Sequence, residues 1–144
     1  MKLVLDTNVV LDLLLFADAA TPPLRAALGS GAAQWIATAA MRAELARVLT
    51  YAHLQTRMQY HGRSAADVLA DFDRHALPAV EAPRATLVCK DPDDQKFIDL
   101  ALAQRAALLS KDRAVLKLRK RLRAQGVAVA TTWDALNLLE QPLP

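Results

Sequence analysis

Short apolar runs alternate with amphipathic stretches along the chain. Lys2–Leu5, Gln34–Ala37, Thr86–Cys89, Leu108–Ser110 and Val127–Ala130 are brief and apolar, without the in-out alternation of a half-wetted sheet. Such runs are expected of strands buried on both faces, as in a parallel sheet covered by helices. Between them, apolar positions recur at helical spacing. Val9–Phe16 opens a helix, and Pro23 suits the first turn of a second one that Gly29-Ser30-Gly31 ends. Thr38 is placed to cap a helix to Thr50, with Met41, Leu45, Val48 and Leu49 as its apolar stripe. Glu44 lies at the edge of that stripe, so it faces inward or along the rim. Residues 51–62 read as irregular helix. Ser64 followed by Asp67 marks a helix start, with Val68, Leu69 and Phe72 supplying its apolar side to about Ala76.

Further on, Pro78–Pro83 reads as a loop. Asp91-Pro92-Asp93-Asp94 is a turn that starts a helix with Phe97, Ile98, Ala101 and Leu102 facing inward. Arg113–Arg123 is a basic helix stopped near Gly126. Thr131 or Thr132 caps a last helix whose apolar side is Trp133, Leu136, Leu138 and Leu139. Strand–helix alternation without repeats or linkers predicts one α/β domain over residues 1–144, with a parallel sheet between helices. A helical insertion is expected after the second strand, over residues 51–77.

Composition narrows the class. At 144 residues, 53% hydrophobic and 23% charged, the chain can build a core and is not a long disordered segment. With 4 Gly and 7 Pro it is not collagen-like. The single cysteine, Cys89, excludes an internal disulfide framework and a Cys-based zinc site, and fits a reducing compartment. Leu3–Phe16 is interrupted by Asp6, Asn8 and Asp12, is too short to span a bilayer and lacks signal-peptide features. A cytoplasmic protein without membrane attachment is the expectation.

The net charge of +3 is unevenly spread. Arg105, Lys111, Arg113, Lys117, Arg119, Lys120, Arg121 and Arg123 crowd one segment in which Asp112 is the sole acid. Asp91, Asp93, Asp94 and Asp99 crowd another. Segregated charge suits a polyanion-binding face beside a carboxylate pocket, although a solvated basic helix has the same composition.

Ligands of such sheets sit beyond the C-terminal strand ends. Asp6 directly follows the first strand and Asp112 comes two residues after Ser110. Asp94 begins a helix, and Glu44 lies one to two turns into the helix leaving the second strand. Taken singly, Asp6, Asp94 and Asp112 can each be helix caps, and Glu44 a surface partner of Arg47. Together they place four carboxylates from four βα units at one rim. Clustered carboxylates stay ionised only beside a cation. An all-oxygen set suits Mg²⁺ or Mn²⁺, while His53, His61 and His75 fall in the insertion, which argues against zinc. A cation held this way lowers the pKa of a bound water and stabilises charge on a phosphoryl oxygen. With Lys111, Arg113, Lys117, Arg119 and Lys120 available to contact phosphates, the combination reads as a hydrolytic nuclease.

Val4-Leu5-Asp6-Thr7-Asn8-Val9 resembles the opening of PIN-domain proteins. Asp91-Pro92-Asp93-Asp94-Gln95-Lys96-Phe97-Ile98-Asp99-Leu100-Ala101, then Leu109-Ser110-Lys111-Asp112, resembles the second half of that family. The likeness covers nearly the whole chain, to Thr131-Thr132-Trp133, and is closest to the branch described as toxins of toxin–antitoxin pairs. It implies a parallel five-stranded α/β fold that cleaves RNA with Mg²⁺ or Mn²⁺ held by acids. Carried over by position, those acids are Asp6, Glu44, Asp94 and Asp112. Asp94 is preferred to Asp93 because Phe97 and Ala101 then take the apolar places that follow. Asn8 and Ser110 match polar positions that support the acids. Lys111 and Arg113 replace the Gly and the acid that often flank the fourth carboxylate. An antitoxin partner is implied, with the helices near residues 40–60 as its groove, and a homodimer is a further expectation. Two other readings stand beside the nuclease. One is a non-catalytic RNA- or partner-binding module. The other is an aspartyl-phosphate phosphatase, which needs an acid where Asn8 stands.

Overall fold

Leu3, Val4 and Leu5 are almost wholly buried, which places β1 (Lys2–Leu5) at the middle of the sheet. The computed structural model describes residues 1–140. After β1 come α1 (Thr7–Leu11), which continues into a π-helical turn over Asp12–Phe16, and α2 (Pro22–Ser30). β2 (Gln34–Ala37), α3 (Ala39–Val48), α4 (Ala52–His61), α5 (Ala65–His75) and β3 (Leu77–Pro78) follow. A 3₁₀ turn over Pro92–Asp94 leads into α6 (Gln95–Gln104) and β4 (Ala107–Leu109). The rest comprises α7 (Arg113–Leu116), α8 (Arg119–Ala124), β5 (Val129–Ala130) and α9 (Trp133–Glu140).

The five-stranded sheet has the order β3-β2-β1-β4-β5, and every pairing is parallel. Leu3, Val4 and Leu5 lie opposite Ala107, Leu108 and Leu109. The ends of β1 and β4 are therefore level, and Asp6 and Ser110 leave the sheet side by side. The Asp6 N–H donates to the Leu109 carbonyl at 3.0 Å, which extends that register by one residue.

The caps read from side-chain chemistry are present. Thr38 Oγ1 accepts from the Met41 N–H. Ser64 and Asp67 form a reciprocal capping box. Thr132 caps α9 by accepting from the Ala135 N–H. Gly31, at φ 82°, ends α2 in the left-handed region where a side chain is strained. The insertion is the α4–α5 pair. Trp35 of β2 meets Phe72 of α5 edge-on at 5.0 Å, which ties the insertion to the sheet.

Three expectations need correction. Thr86–Cys89 is not a strand; Leu77–Pro78 takes the edge beside β2, inside what reads as the end of a helix and the start of a loop. An edge tolerates Pro78 because the missing N–H breaks no inner ladder. Leu87 and Cys89 are buried all the same. The Gln95 side chain serves their backbone, accepting from the Cys89 N–H at 2.6 Å and donating to the Leu87 carbonyl at 3.0 Å. The basic segment is two short helices, α7 and α8, not one. Finally, α1 starts at Thr7 instead of Val9 and widens at Asp12, after which Ala17 adopts φ 49°. Among the described residues no helix is long and apolar enough to cross a membrane.

Candidate functional site

Asp6 caps α1: its Oδ1 accepts from the Asn8 N–H at 3.1 Å. Asp112 caps α7 in the same way, with Oδ1 accepting from the Ala114 N–H at 2.8 Å. Ser110, fully buried between them, joins the two. Its hydroxyl donates to Asp6 Oδ2 at 2.7 Å and accepts from the Asp112 N–H at 3.1 Å. Asp94 arrives from the other side, at the junction of the 3₁₀ turn and α6. Asp91 stabilises that turn by accepting from the Asp93 N–H. Phe97, Ile98 and Ala101, all buried, press α6 onto the sheet.

The result is a cluster of three carboxylates. One oxygen from each of Asp6, Asp94 and Asp112 lies within 4.8 Å of the other two. Asp6 and Asp94 are 4% and 7% exposed, so water does little to screen their repulsion. Burial pushes the Asp94 carboxyl up from 3.8 to about 8, with the charges of Asp6 and Asp112 adding to the effect. Burial also raises Asp6, although the Ser110 hydroxyl and the Asn8 N–H pull it back. Among the described residues, Asp94 Oδ2 is buried with no hydrogen-bond partner. An orphaned buried carboxylate oxygen in an all-oxygen cluster fits a hard cation, which would supply the missing partner and favour the ionised forms.

Glu44 does not join this trio. Its Oε1 lies 2.7 Å from Lys96 Nζ and 3.9 Å from Arg47, and its Oε2 accepts from the Thr7 hydroxyl. It still adds slightly to the repulsion that raises Asp6. Spacing alone does not single out Lys96 or Thr7. Thr7 follows Asp6 and Lys96 precedes Phe97, and only the fold brings the two to Glu44. Asn8 reaches Asp6 through its backbone N–H, and its side chain is exposed. Asp99 is structural, accepting from the Ala85 N–H and from the Gln95 side chain.

The basic residues surround an open depression. Arg113, Lys117, Arg119 and Lys120, with Leu116, line a concavity of about 390 Å³, and Arg113 directly follows Asp112 in the chain. Lys111 points elsewhere and pairs with Asp12 of the π-helical turn. The start of α7 thus links the two groups along the chain, with Asp112 in the acid cluster and Arg113 in the basic lining.

Residues 2–114 match the family model of the PIN domain. That stretch contains β1 to β4, the three clustered acids and Glu44. No curated protein matches the chain.

Proposed function

We propose, from the premise that this chain belongs to the PIN-domain family, that it is a metal-dependent endoribonuclease. PIN domains are in general nucleases, and the acids that the family resemblance marks come from separate elements of this fold. The observation that carries the reading is the convergence of Asp6, Asp94 and Asp112, with an unpartnered oxygen on Asp94. These three side chains would hold Mg²⁺ or Mn²⁺, the ions suited to carboxylate oxygens. When bound, such an ion lowers the pKa of a water and offsets charge on a phosphoryl oxygen.

The protein's own contribution is placement. Backbone N–H groups fix one oxygen of Asp6 and one of Asp112, and Ser110 keeps both loops in step. Burial of Asp6 and Asp94 keeps bulk water from screening the charges. Arg113, Lys117, Arg119 and Lys120 would bind backbone phosphates beside the scissile bond. RNA as substrate, a role as toxin, an antitoxin partner and a homodimer follow the family resemblance. A cytoplasmic location agrees with the single cysteine.

Incubation with a mixed RNA pool and Mn²⁺ tests the activity. Cleavage is expected, and both EDTA and Asp6→Asn should reduce it by at least about a hundredfold. Undiminished cleavage under either condition would overturn the proposal. RNA binding without metal-dependent cleavage would select a non-catalytic module instead.

A further inference from the structure

Glu44 is the acid that the metal-site reading leaves without an evident task. Lys96 Nζ is held at 2.7 Å from its Oε1 and 2.5 Å from the Asp93 carbonyl, 5.0 Å from the centre of the Phe97 ring. Thr7 takes the other oxygen, and Arg47 lies 3.9 Å from the first. With 11% of the Glu44 side chain and 23% of the Lys96 side chain exposed, solvent screens this pair weakly. Lys96 sits on the first turn of α6, two residues past Asp94, so its ammonium is anchored to the element that delivers the third carboxylate.

From this we infer that Lys96 takes the place of a second cation. The site holds a single divalent ion, bound by Asp6, Asp94 and Asp112, and Glu44 is the charge partner of Lys96 and not a ligand. A second ion at Glu44 would have to approach an ammonium already seated on its carboxylate, against like-charge repulsion in a poorly screened pocket. Lys96 is a positioning residue in this scheme. It neutralises Glu44 and keeps a fixed positive charge at the edge of the site. The inference rests on the metal-site reading above, and its test separates the two.

Mn²⁺ titration of the full chain, with free Mn²⁺ followed by electron paramagnetic resonance, counts the ions directly. The wild type is expected to bind one. The double variant Glu44→Gln/Lys96→Met removes the pair without leaving a lone charge. It should still bind one ion, with affinity changed by less than about threefold. Asp94→Asn should weaken binding by about 10–100-fold. Two ions in the wild type, or a double variant as impaired as Asp94→Asn, would overturn the single-ion assignment and leave the metal site standing. No Mn²⁺ binding by the wild type would overturn the metal site, and the assignment with it.

Discussion

Asp6 and Asp112 each have two uses. One oxygen of each accepts from the N–H that opens the following helix, and each also places an oxygen in the cluster, so the cap reading and the ligand reading hold at the same residue. Asp94 bears the electrostatic strain. Between its ordinary value of 3.8 and about 8, the folded chain keeps a proton that the unfolded chain has released. Unfolding free energy of the metal-free protein therefore falls as pH rises from about 4 to about 8, then levels. Asp6, also raised by burial, contributes with the same sign. Thermal unfolding without metal should show a falling midpoint from pH 5 to pH 8, and Asp94→Asn should flatten the slope. Saturating Mn²⁺ should raise the midpoint most at the alkaline end, because ligand bound only by the folded state stabilises it. A midpoint that climbs with pH in the chelated protein would contradict this picture of the cluster.

At the level of elements, what could be read from the sequence followed how local the cause was. Caps are local chemistry, and Thr38, Ser64 with Asp67, and Thr132 all sit where their side chains suggest. Ser64→Ala should cost about 1 kcal/mol, read as a lower denaturation midpoint, with cleavage unchanged because α5 contributes none of the clustered acids. The central strands were legible because β1 beyond Lys2 and all of β4 are apolar. The edge was not. Leu77–Pro78 is a two-residue strand whose residues are exposed, so no burial pattern marks it. Thr86–Cys89 carries the apolar signal without the strand, because Gln95 supplies the hydrogen bonds that a neighbouring strand would otherwise give. The basic segment divides at Lys117–Leu118, where its charge pattern shows no break. Pairing of Glu44 with Lys96 spans 52 residues and depends on the fold, not on spacing.

Across the whole molecule, a parallel sheet brings residues distant in sequence to one rim, and the charge of the chain is sorted around it. Acids gather at the ends of β1 and β4, and α7 and α8 carry the basic face away from Asp112. That sorting makes RNA affinity salt-dependent in a countable way. In the Asp6→Asn background, replacing Lys117 and Lys120 with Ala should weaken single-stranded RNA binding. The slope of log affinity against log salt should fall by about 0.7 for each phosphate that is no longer neutralised. An unchanged slope would remove α7 and α8 from the RNA surface. The central claim, that Asp6, Asp94 and Asp112 jointly grip a hard cation, is tested most directly by anomalous diffraction at the manganese edge from crystals grown with Mn²⁺. The predicted result is a peak about 2.1 Å from one oxygen of each of the three carboxylates. A peak elsewhere, or none at saturating Mn²⁺, would contradict it.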